Sequence, residues 1–590
     1  MRTNFLVCLF VFAAAVIARA EDPRRQADQF IRAYTDEFQR VYTVAQEAMW
    51  LANTDITDEH SGAEVKANEA LSEFVGRKET IEQVKALLAQ KDRLDPMQIR
   101  QLEKIRLAAA HRPGTIPDVV TRLVKAESDQ SAKLFGFEFK VDGKTVTPND
   151  IDDSLVKSRD LDERLKVWTA SKEVGKELRG GLETLQELRN RVAREMGFSS
   201  YFDLEVADYG MSTAELMALM DRILEDLRPL YRELHTYCRY ELAQRYDQPV
   251  PDMLPAHWLP NRWGQNWPGL VDAVDMDSLF KGKSREWVVQ QAESFYESMG
   301  FPAVNTNFWK KSDLYPAEAG RKKNTHASAW HMNLEDDYRS LMSVTPTADW
   351  FKTAHHELGH IHYYIAYSNP GVPLLLREGA NRSYHEGMGD LIGLASSQRP
   401  YLEGVGLLPK DAKIDETQWL LNEALSGASA VFIPFSAGTM THFEHDLYEK
   451  NLPPAEYNAR WWVYAKKYQG IVPPSDRGGD YCDAATKTHI NDDPAQYYDY
   501  ALGTVLKFQL HDYIARRILK QDPHAANYFG SKETGTFIRD IMSPGQTKDW
   551  RAVLREKTGE DLSARAMLEY FNPLMEYLKK ANAGRKYTIE

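Results

Sequence analysis

Two histidines four residues apart stand at the centre of this sequence, in the segment His356-Glu357-Leu358-Gly359-His360. On a helix, residues spaced by four lie one above the other on the same face. Two imidazoles placed in this way can hold one zinc ion, with the intervening carboxylate beside the metal-bound water. Zinc acidifies that water and polarises a carbonyl, while Glu357 takes the water proton and passes it to a leaving amine. The pattern therefore predicts zinc-dependent hydrolysis.

A zinc site of this kind needs a third protein ligand, and a segment shortly downstream offers one. Glu386 and Asp390 are four residues apart, so both face the same way on a helix. We expect Glu386 to bind zinc and Asp390 to accept a hydrogen bond from a ligand histidine, which fixes its tautomer. Glu378 is a rival third ligand. The sequence also contains rivals to the ligand histidines: His355, His362 and His385.

Helix geometry argues against two of these rival ligands. His355 and His362 lie off the helix face that His356 and His360 share, so roles in packing or hydrogen bonding suit them better. No further histidine follows at the spacing of the three-histidine zinc peptidases. The residues therefore favour a site with two histidines and one glutamate.

Helical patterns dominate the segments that must position these residues. The metal helix is predicted to begin near Thr347 and to end before Asn369-Pro370-Gly371. Alternation around an Asp-Gly pair predicts a β-hairpin over 137–146, and residues 249–268 read as an ordered loop. Further helices are predicted from Asp22 onward and over 161–175, 182–197, 213–245, 285–300, 417–432, 461–468, 497–519 and 562–578. With no repeat or low-complexity linker, residues 21–590 are interpreted as one mostly α-helical catalytic domain with small β elements.

The chain of 590 residues has a net charge of -13, which disfavours nucleic acid and anionic membranes as partners. Residues 1–20 have the features of a signal peptide: Arg2, an apolar run over 5–17, and the cleavage pattern Ala18-Arg19-Ala20. The run is short for a membrane span, although a retained N-terminal anchor is the alternative. We expect a protein that is secreted or periplasmic after cleavage near Ala20, without a membrane anchor, and a monomer or weak dimer.

Two cysteines follow the predicted signal peptide, Cys238 and Cys482. One disulfide or two free thiols are both compatible with the sequence. The only glycosylation sequon found, Asn381-Arg382-Ser383, lies inside the predicted site region. This favours a bacterial periplasm over a glycosylated animal secretion.

Taken together, these motifs resemble the angiotensin-converting enzyme family. The resemblance rests on the zinc motif and on segments that follow one another in the family's order: 326–330 (HASAW), 377–381 (REGAN), 385–390 (HEGMGD), 461–462 (WW), 467–470 (KYQG) and 508–511 (FQLH). It implies a single-zinc peptidyl-dipeptidase that removes C-terminal dipeptides from oligopeptides. It also implies an almost entirely α-helical ellipsoid, split by a deep central channel and lidded by N-terminal helices.

Carried over residue by residue, the resemblance implies a role for each member of the site. The implied zinc ligands are His356, His360 and Glu386, with Glu357 as the base. The residues implied to contact the substrate backbone are His326 and His489 by hydrogen bonds, Ala327 and Ala329 as a short strand, and Tyr500 as donor to the oxyanion. The residues implied to bind the terminal carboxylate are Gln265, Lys487 and Tyr497, although matching both tyrosines requires a one-residue insertion after His489.

Gln265 separates two activities on this scaffold. It occupies the place where the family's carboxypeptidase relative has an arginine that grips the terminal carboxylate close to zinc, leaving room for one residue. A shorter, neutral glutamine leaves room for two, so dipeptide release is predicted. The alternatives are a metallocarboxypeptidase that releases single residues and a catalytically inactive binding homologue; the presence of all three ligands and the base argues against the latter.

The chain also departs from the family at three positions. Animal members bind chloride through arginines, whereas this sequence has Asp499 and Ala465 in the places of two of them. Aspartate does not coordinate chloride and alanine carries no charge, so zinc is the one predicted cofactor and chloride is not required. Thr325 stands where the family has a cysteine, so the family's disulfide there is not expected.

Overall fold

The structure is a computed structural model, and it describes residues 22–267 and 276–589. Helices form most of this part of the chain, as the predicted mostly all-α class requires. The first half contains α1 (Pro23–Thr54), α2 (Asp58–Val75), α3 (Lys78–Leu88), α4 (Pro96–Ala110), α5 (Pro117–Phe135), α6 (Pro148–Lys157), α7 (Leu161–Lys172), α8 (Val174–Glu195), α9 (Tyr201–Ala207), α10 (Thr213–Arg245), α11 (Arg285–Ser298) and α12 (Thr306–Lys311).

The second half continues with further helices, two of which carry the predicted metal residues. They are α13 (Ala348–Tyr367), α14 (Arg382–Ser396), α15 (Arg399–Gly404), α16 (Glu416–Ala424), α17 (Thr441–Tyr448), α18 (Tyr457–Tyr464), α19 (Thr488–Asp492), α20 (Tyr498–Tyr513), α21 (Lys532–Met542), α22 (Trp550–Thr558), α23 (Arg565–Tyr570) and α24 (Asn572–Ala581). The predicted metal helix is confirmed as α13, with the Thr347 side chain accepting a hydrogen bond from Trp350 N at its N-terminus.

The strands form three two-stranded pairs: β1 (Phe139–Val141) with β2 (Lys144–Val146), β3 (Leu254–Pro255) with β6 (Ile471–Val472), and β4 (Ser328–His331) with β5 (Tyr338–Leu341). The first pair confirms the predicted hairpin, and Asp142 and Gly143 both take positive φ in its turn. The third pair is antiparallel and lies beside α13. The second pair is parallel and joins residues more than 200 positions apart in the chain, Leu254 with Ile471 and Pro255 with Val472.

Several predicted helices end differently from the sequence pattern. The helix predicted over 417–432 stops at Ala424, because the next carbonyl, of Leu425, accepts a hydrogen bond from Trp267 N. The helices predicted over 461–468 and 497–519 continue past α18 and α20 as π-helical turns, Ala465–Gln469 and Ile514–Leu519. Each π turn is a single turn that follows directly on an α-helix, and an apolar pattern over so few residues does not separate it from the helix before it.

The N-terminal helix α1 is bonded to the β4–β5 hairpin. Tyr42 Oη donates to His331 O at 3.0 Å, and Gln39 Nε2 donates to Asn333 O at 3.0 Å. Arg339 of β5 forms a bidentate ion pair with Glu47 of α1. These contacts fix α1 against the hairpin that borders the cavity described below.

Some predictions on the chain ends and cysteines can be compared with the structure, and others cannot. The predicted signal peptide and the last residue of the predicted 249–268 loop lie outside the described residues. Within residues 22–267 and 276–589, no helix combines the length and the apolar character that crossing a bilayer requires. Cys238 and Cys482 are both buried and unbonded, so of the two alternatives the structure has free thiols.

Candidate metal centre

The metal centre is built where α13 and α14 approach each other through glycines. A Cβ atom at Gly359 of α13 would lie 3.1 Å from the Cα of Gly389 on α14. A Cβ at Gly389 would lie 2.8 Å from the ring of His356, where no side-chain atom fits. Glycine at both positions is therefore what lets the His356 imidazole lie against α14.

Three side chains converge across this helix pair. His356 Nε2 lies 3.1 Å from His360 Nε2 and 3.6 Å from Glu386 Oε2. The ligand atoms of all three residues lie within 4.8 Å of one another. In the part of the chain that the structure describes, no second cluster of three histidine, cysteine or acidic side chains meets that condition.

The hydrogen bonds behind these side chains show that the group fits a metal ion. His356 Nδ1 lies 3.1 Å from Asp390 Oδ1, so Nδ1 carries the hydrogen and the lone pair of Nε2 faces His360. His360 Nδ1 lies 3.3 Å from His385 Nδ1, so the Nε2 atom of His360 is the one that faces His356 Nε2. Two imidazole nitrogens and one carboxylate oxygen around a common point form a donor set suited to zinc.

Glu357 lies next to this group but bonds to none of it. Its side chain is buried, and its Oε2 atom has no hydrogen-bond partner. Burial raises the pKa of Glu357 to about 7. A carboxylate with a free oxygen and a pKa near neutrality has the properties of a general base.

The rival residues are engaged elsewhere. Glu378 forms an ion pair with Lys104 at 2.6 Å and is half exposed. His355 is buried between Phe351 O, at 2.7 Å from Nδ1, and the Tyr401 hydroxyl, at 3.1 Å from Nε2. His362 lies 3.3 Å from Glu293, away from the metal group. His385 contacts Nδ1 of His360, on the side of the ring away from His356, so it orients a candidate ligand.

The metal group opens into a cavity of about 770 Å³. Its lining includes the face of α13 that carries His356 and His360, and also His326, Ala327 and Ala329 at the start of β4. Ala329 O accepts a hydrogen bond from Tyr364 of α13 at 3.1 Å. A second cavity of about 360 Å³ shares Ala329 and Tyr364 with the first, so the two adjoin beneath α1.

The three residues implied to bind a terminal carboxylate form a group of their own. Lys487 Nζ donates to Gln265 Oε1 at 3.0 Å, and Tyr497 Oη donates to the same oxygen at 3.4 Å. The Lys487 ammonium lies 4.7 Å from the centre of the Trp263 ring. Burial lowers the pKa of Lys487 to about 7. The structure brings these three residues together but does not place them in the lining of the metal cavity.

Tyr500 and His489 lie between the two groups. The His489 ring packs 4.9 Å from Tyr497 and 6.0 Å from Tyr500, measured between ring centres. Arg382 NH2 donates to the Tyr500 hydroxyl at 3.2 Å, from a position one turn before Glu386 on α14. The implied oxyanion donor is therefore connected to the helix that carries a metal-ligand candidate.

Arg382 is the site residue that sequence reasoning missed. Besides Tyr500, its guanidinium contacts Asp493 at 2.8 Å and Asp499 at 2.8 Å. The sequence contains a pattern that points to Arg382: Arg382, Glu386 and Asp390 follow one another at intervals of four and share one helix face. The sequence did not reveal that its partners are about 110 residues further along the chain.

Comparison with known proteins places this geometry in a family. The sequence model described as angiotensin-converting enzyme matches residues 21–589.

The chain belongs to the angiotensin-converting enzyme family.

Two relatives span nearly the whole chain. Angiotensin-converting enzyme of Theromyzon tessulatum is 28% identical over 98% of this chain and 96% of its own length. Angiotensin-converting enzyme of Haematobia irritans exigua is also 28% identical, over 98% of this chain and 97% of its own length. The angiotensin-converting enzyme-like protein Ace3 of Mus musculus is 32% identical over 75% of this chain and 62% of that protein. Membership of the angiotensin-converting enzyme family supports a zinc metallopeptidase.

The contact between Asp390 and His356 generates a prediction about metal affinity. Asp390→Asn removes the charge that orients His356, and such a change typically lowers metal affinity by about 10–100-fold. Competition with a chromogenic chelator would measure the zinc dissociation constant. Asp349→Asn is the matched control, because Asp349 lines the same cavity without contacting a ligand candidate. Equal zinc affinities in wild type and Asp390→Asn would contradict the assigned role.

Proposed function

We propose that this chain is a zinc-dependent peptidyl-dipeptidase that hydrolyses C-terminal dipeptides from oligopeptides with a free C-terminus. The observation that carries the proposal is the convergence of His356, His360 and Glu386 beside the unpaired carboxylate of Glu357. Full-length similarity to angiotensin-converting enzymes supports it.

The proposed chemistry divides between the metal and the chain. His356, His360 and Glu386 would hold zinc, which supplies a Lewis acid that polarises the scissile carbonyl and acidifies water. Glu357 takes a proton from the attacking water with its free oxygen and returns it to the leaving amine. Tyr500 donates its hydroxyl hydrogen to the developing oxyanion, and Arg382 holds that hydroxyl in place.

Substrate alignment is assigned to β4 and to two histidines. Ala327 and Ala329 present backbone groups along the cavity wall, and His326 lies at the start of the same wall. An extended peptide pairing with this edge gains backbone hydrogen bonds without any sequence requirement. His489, packed against Tyr500, is assigned a hydrogen bond to the substrate backbone near the cut.

The C-terminal carboxylate is assigned to the Gln265–Lys487–Tyr497 group. A cation with neutral donors around it suits a carboxylate, and Lys487 has no acidic partner within ion-pair distance among the described residues. Gln265, in the place of the carboxypeptidase relative's arginine, favours release of two residues over one. A metallocarboxypeptidase on the same scaffold and an inactive binding homologue are the alternatives.

The proposed independence from chloride is supported by an internal ion pair. Arg382 contacts the buried carboxylate of Asp499 at 2.8 Å and also holds the Tyr500 hydroxyl. Burial raises the pKa of Asp499 to about 8, and the Arg382 guanidinium opposes that rise. A cation of α14 therefore already lies beside Asp499, the residue that replaces one of the family's arginines, without a bound anion as its partner. Ala465, in the place of another of the family's chloride-binding arginines, is buried and offers no charge.

We also propose that residues 21–590 form a single catalytic domain that is exported after removal of residues 1–20. One apolar cluster supports the single domain, since it includes Ile81 near the N-terminus and Leu578 near the C-terminus.

The assignment of Glu357 predicts a variant that binds metal but does not turn over. Glu357→Gln removes the proton acceptor, and loss of a general base lowers rates by about 10²–10⁴-fold. Elemental analysis should still find zinc, because the three ligand candidates are unchanged. Glu378→Gln is the control, since that carboxylate pairs with Lys104 outside the metal group. Wild-type turnover in Glu357→Gln would refute the mechanism.

The buried ammonium of Lys487 predicts a pH dependence of KM. Burial lowers its pKa to about 7, so the charged form that attracts a carboxylate is lost as pH rises through that value. KM for a free-acid peptide should rise with pH above about 7, by up to about tenfold per pH unit. Lys487→Met should abolish this rise, and the same peptide with an amidated C-terminus should not show it. A KM profile shared by free-acid and amidated peptides would count against the assignment.

Chloride independence is tested by exchanging anions at fixed ionic strength. The Arg382–Asp499 pair needs no added anion, so kcat/KM should be the same in chloride and in acetate buffers. Initial rates on one free-acid peptide give the comparison. A large increase on adding chloride would show that the protein still uses an anion site.

A further inference from the structure

Lys352 is a cation in the metal cavity that the proposed mechanism does not use. It lies four residues before His356 on α13, so the two side chains share one helix face. Lys352 is exposed and lines the same cavity as His356, Glu357 and Glu386. Its ammonium makes no hydrogen bond and no ion pair with any residue in 22–267 or 276–589.

Burial acts to raise the pKa values of Asp390 and Glu423 and the charge of Lys352 acts to lower them, but Lys352 forms no hydrogen bond or ion pair with either of these side chains. Asp390 is held by His356 at 3.1 Å and lies 3.7 Å from Lys507. Glu386 belongs to the metal group. Asp349 lines the cavity one turn before Lys352, but no ion pair joins the two. The cavity therefore exposes a lysine whose ammonium has no bonded partner among the described residues.

The methylene groups of Lys352 lie against Gly393 of α14. A Cβ atom at Gly393 would lie 3.3 Å from both Cγ and Cε of Lys352. Glycine lowers the stability of a helix interior, so its presence in α14 calls for a packing reason. The absent side chain gives the lysine stem a surface on which to lie, while its charged end stays in the cavity.

The direction of β4 shows which part of a substrate faces Lys352. β4 runs from the His326 end towards Ala329, which Tyr364 contacts near the C-terminal end of α13. An antiparallel peptide on this edge, the more stable pairing, directs its C-terminus the opposite way, towards the N-terminal end of α13. Lys352 is about 6 Å along the helix before His356. An extended chain covers that distance in about two residues.

We propose that Lys352 selects an acidic side chain on the last residue of the released dipeptide, so that preferred substrates are oligopeptides ending in aspartate or glutamate. The inference rests on the proposed peptidyl-dipeptidase activity and extends it to a substrate class. Lys487 holds the terminal carboxylate in this arrangement, and Lys352 reads the side chain of the same residue.

The test compares two peptides that differ in one charge. The two peptides are identical except for the last residue, which is glutamate in one and glutamine in the other. Glutamine has nearly the same shape as glutamate but no charge. The first readout is the ratio of kcat/KM for the two peptides, with products identified by mass. The second readout is the ratio of their dissociation constants for zinc-loaded Glu357→Gln protein, measured by calorimetry. Moving the glutamate to the penultimate position provides an internal control for position.

An ion pair accessible to solvent should favour the glutamate peptide by about fivefold in wild type, less at high salt. Lys352→Met should bring the preference for the glutamate peptide over the glutamine peptide to about one, and Lys352→Glu should invert it. For the binding assay, each change is combined with Glu357→Gln. Lys352→Arg should keep the preference. Lys413→Met, at an exposed lysine outside the cavity, should keep the wild-type ratio.

Three results would overturn the proposal: no preference in wild type, a preference that survives Lys352→Met, or an equal preference for glutamate at the penultimate position. The binding ratio separates this inference from the proposed function. If the wild type releases no dipeptide, the proposed activity fails, and the dissociation constants still decide whether Lys352 recognises the acidic side chain.

Discussion

The site depends on how closely α13 and α14 approach at Gly359 and Gly389. With no side chain at either position, the backbones come near enough for the His356 ring to lie against α14. The ligand candidates of α13 then face Glu386 and Asp390 across a fixed distance. Because both helices pack in the core, the fold fixes the spacing of these side chains.

A second glycine contact continues this arrangement into α20. A Cβ at Gly387 of α14 would lie 3.1 Å from Gly503 O, and Gly503 in turn faces α14. This approach brings Arg382 to Asp499 and Tyr500 at the start of α20. The helix α14 therefore supplies a metal-ligand candidate and, one turn earlier, the cation that holds the assigned oxyanion donor. Any shift of α14 would disturb both groups together.

Sequence alone predicted the parts that depend on local periodicity and on motif spacing. The limits of α13 followed from Thr347 and the Asn-Pro-Gly segment, and the spacing of Glu386 and Asp390 indicated how each would face the histidines. The β4 strand was expected only through the family resemblance, because four residues are too few to show alternation.

The features that were missed are set by tertiary contacts. Arg382 finds its partners more than 100 residues away, which no local pattern encodes. The end of α16 depends on Trp267, a residue far earlier in the chain. The unpaired state of Lys352 is likewise visible only when every element around the cavity is in place.

The central claim is that the site removes two residues at once from a free C-terminus. The most direct measurement is mass spectrometry of the products formed from a decapeptide of defined sequence, with and without a chelator. An octapeptide and an intact dipeptide are expected as the first products. The amidated peptide should be cleaved much more slowly, and zinc removal should stop cleavage. Release of single C-terminal amino acids as first products would contradict it.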